Sequence, residues 1–376
     1  MTRDRLQQLR ADRTSRRAFV QRALTLGVGL GPLGALLAAC GRDAPKGETI
    51  RMGAAERLGP IEKELHIYNW SDYIAEDTVA NFEREFRVKV TYDTYESNEE
   101  MVAKLQAGAT GYDLVVPSSY TIPVLTATGM LAPVHRELLT NWGNLSPLFL
   151  DLASDHGNEY SVPWLWGTLG IAYRADKVGT PPDSWSVFHD ARFRQKLTMM
   201  DDGREVIGAM LRYRGHSLNS VNQAELAGAK ADAIVAKKYL QAYVSAPVKG
   251  QLIAGDVWIA QLWNGDTMQA KKEQASIDYV VPKEGATLWS DSLVIPASAA
   301  NPRAAHEFMN YILRPEVGAA ISTLTGYGTP NAAAAARMPA PVPYPTPAEL
   351  TRLEYQVDLG EHTELWDRIW SEIKSA

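Results

Sequence analysis

The chain has 376 residues, 45% of them hydrophobic and 22% charged, with 44 acidic against 38 basic side chains and a net charge of −6. That acidic balance disfavours nucleic-acid binding. Its single cysteine, Cys40, excludes a disulfide framework, a thiolate metal site and a catalytic thiol in the body that follows.

Ser15-Arg16-Arg17-Ala18-Phe19-Val20 precedes an apolar stretch, Ala23 to Ala39, that ends at Cys40. The pattern predicts an export signal over residues 1–40. The paired arginines fit a twin-arginine leader, and Leu37-Ala38-Ala39-Cys40 resembles a lipobox, whose cysteine is acylated and becomes the mature N-terminus. The competing reading is a membrane anchor, for which seventeen residues with four Gly and one Pro are short and weakly helical. Gly29-Leu30-Gly31-Pro32-Leu33-Gly34 matches a dinucleotide fingerprint in spacing, but it follows no strand, runs into a proline and lies in a segment expected to be removed. Residues 1–39 hold seven Arg and two Asp, so the remainder carries about −11, which serves solubility and suits a cationic ligand. Residues 41–63, rich in Gly, Pro and charge, read as a tether.

From there strand and helix signals alternate. Leu65 to Tyr68 reads as a buried strand, followed by a helix with Val79, Phe82 and Phe86 on one face and a second strand over Val88 to Tyr92. Ser97 and Glu100 form a capping-box pattern before a helix that Gly108 stops, and Tyr112 to Val116 reads as a third strand. This order predicts an α/β fold with a mostly parallel sheet, whose ligands sit beyond the carboxyl ends of the strands. Trp70 to Tyr73 and Ser118 to Tyr120 fall at those ends.

The middle continues with strands over Gly170 to Tyr173, Leu197 to Met200 and Ile277 to Val281, and helices over Val206 to Tyr213 and Gln223 to Tyr243. Ser292 to Pro296 is a further strand. Asn301-Pro302 caps a helix bearing Ala305, Phe308 and Ile312, which Pro315 interrupts or restarts. A proline-spaced stretch (Pro339, Pro341, Pro343, Pro345 and Pro347) precedes a last amphipathic helix over Leu365 to Ile373.

Two pairings stand out along this framework, Trp70-Ser71-Asp72 and Trp289-Ser290-Asp291. An indole face attracts an ammonium group and a nearby carboxylate supplies full charge, so each suits an organic cation. Trp370-Ser371-Glu372 has the same spacing and reads as helix surface, and Trp164 and Trp166 read as core. Asp202-Gly203-Arg204-Glu205 reads as a helix start with Asp202 as its cap, although two carboxylates at that spacing could also act as acid and base. The seven histidines (His66, His135, His156, His189, His216, His306 and His362) lack metal-ligand spacing, and no nucleophile elbow or phosphate loop is present. No catalytic residue, metal or cofactor is expected.

Several stretches in one order resemble the polyamine-binding proteins of bacterial ABC importers, the spermidine and putrescine type. They are Tyr68-Asn69-Trp70-Ser71-Asp72-Tyr73, Thr94-Tyr95-Glu96-Ser97-Asn98-Glu99, Tyr112-Asp113-Leu114-Val115-Val116-Pro117-Ser118-Ser119-Tyr120, Trp263-Asn264-Gly265, Pro282-Lys283-Glu284-Gly285, Trp289-Ser290-Asp291-Ser292-Leu293 and Gly326-Tyr327-Gly328-Thr329-Pro330-Asn331. The resemblance implies a type II periplasmic-binding-protein fold: two α/β lobes joined by crossing strands, with the ligand cleft between them. The first lobe would hold residues 63–167 and 290–335, the second 168–289 and 336–376.

The family's site falls by motif on Trp70, Ser71, Asp72, Tyr73, Ser118 and Tyr120 along one wall, with Asp202 and Glu205 facing them. Trp263, Trp289 and Tyr327 would pack on the methylene chain and ammonium groups, Asp291 would pair with an amine, and Gln356 would add a polar contact. Asp266 stands where some members carry an acid and others a small polar residue. The implied partners are a polyamine, the permease subunits of an importer and, through lipid on Cys40, the periplasmic face of a membrane, with the protein a monomer. A sensor of the same fold that reports to a membrane protein, and an amine-processing enzyme, are the competing functions.

Overall fold

The computed structural model describes residues 58–376 apart from 76, 96, 109–110, 246–247 and 339–344. The predicted leader, Cys40, most of the tether, Glu96 and the prolines at 339, 341 and 343 lie outside the described residues.

Strand β1 (Glu64–Trp70) pairs in parallel with β2 (Lys89–Tyr95) and β3 (Leu114–Val115), and the helices Thr78–Phe86 and Asn98–Gln106 connect them, as the alternating signals predict. The Ser97 hydroxyl accepts from the Glu100 amide, and Gly108 ends the helix at φ +79°. Beyond β4 (Leu131–Ala132) lies the longest strand, β5 (Ser161–Arg174), every residue of which is buried. Only its last third was expected as strand, because a fully buried run of mixed aromatic, aliphatic and glycine residues has no alternation to read.

The second half of the fold adds β6 (Leu197–Met199), β7 (Leu240–Tyr243), β8 (Ile259–Trp263) and β9 (Ile277–Val280). Here the predicted helix Gln223 to Tyr243 is corrected: it ends at Lys237, and Leu240–Tyr243 is β7, parallel to β6. The helical apolar period runs through Leu226, Ala229, Ala233 and Ala236, all buried, and stops there. The helix Val248–Ala254 and strand β8 were not anticipated. Strand β10 (Thr287–Pro296) returns antiparallel along β5, and β11 (Glu354–Tyr355) pairs with its start. Asn301 precedes the helix Pro302–Ile312 without a side-chain cap, because its amide and side chain both donate to the Asp113 carboxylate, at 2.8 and 3.0 Å. Pro315 restarts a helix that runs to Thr325, and the last helix spans Thr363–Ser375.

The strands form one sheet in the order β2-β1-β3-β10-β5-β8-β6-β7. Successive side chains alternate between its faces. On β10, Leu293 and Ile295 join one core with Leu65, Ile67, Phe82 and Phe308, while Val294 joins Tyr68, Met101 and Ile122 on the other face. Further along the sheet, Ile171 and Tyr173 of β5 pack with Leu197, Ile207 and Trp366, and Ala172 packs with Val248, Leu252 and Leu262. The molecule is therefore two α/β lobes, each with helices on both sheet faces, joined by β5 and β10.

Candidate functional site

A cavity of about 550 Å³ opens where the two lobes meet, and all fourteen predicted site residues line it. Its first wall begins where β1 ends. The Trp70 indole N–H donates to the Val116 carbonyl at 2.9 Å, with its ring 4.6 Å from that of Tyr95. The turn that follows holds Asp72 at φ +53°, which leaves its side chain 78% exposed at the rim rather than in the wall. Tyr73 turns inward and is buried. Its hydroxyl donates to Asp291 Oδ2 at 2.9 Å, and burial followed by the Asp291 charge holds its pKa well above the ordinary range.

Asn98 fixes the neighbouring loop. Its amide nitrogen donates to Ser118 Oγ at 3.1 Å and to the Tyr120 hydroxyl at 2.9 Å, and its oxygen accepts from the Ser118 amide at 3.0 Å. In sequence Asn98 stands within a motif without a legible role, since an asparagine after a helix cap carries no signal of its tertiary partners.

The opposite wall is the start of the helix Gly203–Tyr213. Asp202 caps it, accepting from the amides of Arg204 at 2.8 Å and Glu205 at 3.1 Å, and also lines the cavity. Cap and cleft positions are one and the same here. Glu205 is buried and its Oε2 accepts from the Thr287 hydroxyl at 2.6 Å. Burial, reinforced by the Asp202 charge, pushes its carboxyl up to about 8.

Between the walls stands an aromatic corner. The Tyr73, Trp289 and Tyr327 rings lie 5.0–6.4 Å apart by centroid, and the Tyr327 hydroxyl donates to Asp266 Oδ1 at 3.1 Å. Two glycines make room for it. A Cβ on Gly167 would lie 2.6 Å from the Trp289 ring, and one on Gly265 would lie 2.3 Å from the Tyr327 ring. Asp291 sits at the back of this corner, 5% exposed, where the β5–β10 register shifts and Trp164 of β5 is the extra residue. Burial, moderated by the Ser118 and Tyr73 hydroxyls, pushes its carboxyl up to about 7, and Oδ1 has no hydrogen-bond partner in the protein. The Trp289 indole N–H and the Gln356 amide nitrogen are likewise buried without a partner.

Other lining residues escaped the sequence. Glu99, Arg204, Lys249, Trp366 and Trp370 all line the cavity. The exclusion of Trp370-Ser371-Glu372 is corrected in part: Trp370 lines the cavity, packed edge-on to Tyr243 at 5.0 Å, while Glu372 points away to pair with Lys230 at 2.8 Å. The burial of Trp366, Ile369 and Ile373 shows which face the last helix turns inward, but not which residue reaches the cavity. Trp164 and Trp166 are buried and do not line it. Among the described residues, no group of His, Cys, Asp and Glu is arranged to hold a metal.

The buried carboxylates of Asp291 and Glu205 beside aromatic faces, with Asp291 Oδ1 an open acceptor, form a site that suits an organic cation. Comparison with known proteins points the same way. The bacterial extracellular solute-binding protein profile matches residues 77–350. The chain is 36% identical to the putrescine-binding periplasmic protein PotF of Escherichia coli, over 85% of this chain and 93% of that protein. It is 34% identical to the spermidine/putrescine-binding periplasmic protein of the same organism, over 87% and 96%. Among solved structures, the Tp0655 (TpPotD) lipoprotein of Treponema pallidum superimposes with a TM-score of 0.77 at 30% identity, covering 82% of this chain and 99% of that one.

Proposed function

The chain belongs to the bacterial extracellular solute-binding proteins, and we propose that it captures a polyamine in the periplasm and delivers it to an ABC importer. The observation that carries this reading is the corner of Tyr73, Trp289 and Tyr327 around Asp291, a buried carboxylate with an open acceptor atom and a raised pKa. A corner of this kind holds its acid at the cost of lost hydration. An ammonium group restores the charge balance, and the rings cover the adjoining methylenes. Asp291 takes one amine in this reading. Asp266, Asp202 and Glu205 take what lies further along the chain, Trp263 and the aromatic corner enclose the methylenes, and Gln356 adds a polar contact.

The lobes, bounded at residues 63–167 with 290–335 and 168–289 with 336–376, close over the ligand about the crossing strands, a hinge motion. The protein acts as a monomer held to the membrane through lipid on Cys40, a reading supported by the lipobox-like leader and by the relative named as a lipoprotein. No catalytic step is assigned, since the named relatives are binding proteins. Calorimetry with putrescine, cadaverine, spermidine and spermine tests the reading. At least one should bind at micromolar affinity or better, and failure of all four would overturn it.

A further inference from the structure

Asp72 is answered differently from the buried acids. Asp291 and Glu205 meet hydroxyl groups, those of Tyr73 and Thr287, whereas Asp72 meets an ammonium: Lys249 Nζ lies 3.4 Å from its Oδ2. Lys249 comes from the opposite lobe, on the helix Val248–Ala254, and lines the same cavity. Nor is it a loose surface side chain. Its Nζ also donates to Gln269 Oε1 at 2.7 Å, and the Gln269 amide nitrogen donates to the Thr325 carbonyl at 2.8 Å. A glutamine tied by one end to the other lobe thus aims the ammonium at Asp72, and Lys249 itself is only 27% exposed.

We propose that Lys249 is a resident cation of the cleft, holding the place at Asp72 that the outermost ammonium of a long ligand would take, and thereby selecting diamines over triamines. The proposal rests on the polyamine reading above. A diamine is satisfied by the buried carboxylates and never reaches the rim. A third ammonium must either displace Lys249 from both Asp72 and Gln269 or lie beside it as a like charge, and either course lowers affinity. An ion pair at the rim is weak, so the penalty stays within reach of a single substitution.

Calorimetry on Lys249→Met, Lys249→Arg and the double variant Lys249→Met with Asp72→Asn tests this, with putrescine and spermidine as probes. Lys249→Met keeps the stem and removes the charge. It should raise spermidine affinity about tenfold while changing that for putrescine less than about twofold, and Lys249→Arg should keep the wild-type ratio. The double variant should return the ratio toward wild type, since the freed acid is gone. An unchanged ratio in Lys249→Met, or an equal loss for both amines, overturns the proposal alone; wild-type protein that binds neither amine overturns it together with the polyamine reading.

Discussion

A buried carboxylate without a cation is held against its own hydration, and Asp291 and Glu205 both pay that cost, with carboxyls raised to about 7 and about 8. An arriving ammonium favours the ionised forms, so binding releases protons over the range in which the empty site is still partly protonated. Polyamine affinity should therefore fall as pH drops from 8 to 6, with a slope that approaches about tenfold per pH unit for each group only once the pH is below its pKa. Calorimetry in two buffers of different ionisation enthalpy measures the protons released, and an affinity flat across that range would remove both acids as contacts. The same shift has a stability consequence with a definite sign. A raised folded-state pKa favours the folded form in acid, and that advantage disappears as pH rises from the ordinary carboxylate value through about 7 for Asp291. Asp291→Asn removes the titration, and its amide oxygen can still accept from Tyr73. It should raise unfolding free energy by about 2–4 kcal/mol at pH 8 with no such gain near pH 4, while weakening polyamine binding by several kcal/mol, about 2–5. Denaturant unfolding at the two pH values separates this outcome from a merely structural role.

Strand β5 positions the site through what it lacks as much as through what it carries. Gly167 lets the Trp289 ring lie against its backbone, and the neighbouring Thr168 amide donates to Asn264 Oδ1 at 3.0 Å, tying β5 to the helix that bears Asp266. Gly167→Ala would place a Cβ 2.4 Å from that oxygen and 2.6 Å from the ring. Overpacking of this kind costs about 1–3 kcal/mol, and the ring is the part free to move into the cavity. Affinity should drop about tenfold, with altered tryptophan emission and unchanged far-ultraviolet circular dichroism; wild-type affinity would show that Trp289 is not held from behind. The legibility of the elements follows the same physics. The β1 to β3 region could be read because each strand is bounded by caps and turns with local chemistry, such as Ser97 and Gly108. Most of β5 could not, because its pairing with β10 and β8 is settled 86 or more residues away. Trp70 to Tyr73, Ser118 and Tyr120 were legible at strand ends, and the other site positions were placed by the family resemblance. Lys249 was not: in sequence it is one lysine on an unassigned helix, and only the reach of its side chain across to Asp72 gives it a role.

At the scale of the molecule, neither lobe is a continuous segment. One core draws on residues between Ile61 and Leu165 and again between Trp289 and Tyr327, with Trp263 packed against it, and the other on residues from Ile171 to Leu288 and from Leu353 to Ile373. The chain thus crosses along β5, returns along β10 and crosses once more after the helix Pro315–Thr325. Unfolding one core strips the crossing strands of half their neighbours, so the two should melt together. In the proposed site, a ligand held by Asp291 and Tyr73 from one side and by Asp202 and Glu205 from the other would add a further link, which exists only while both are folded. Binding to the native state alone stabilises by about 2.7 kcal/mol at a ligand concentration of 100 times Kd. For a body of this size that is a rise of about 2–4 °C in Tm. Scanning calorimetry should show one transition without ligand and one, moved upward, with saturating polyamine. Two transitions of which only one responds would mean that the binding free energy comes from one lobe, and the cleft reading of the site would fall with it.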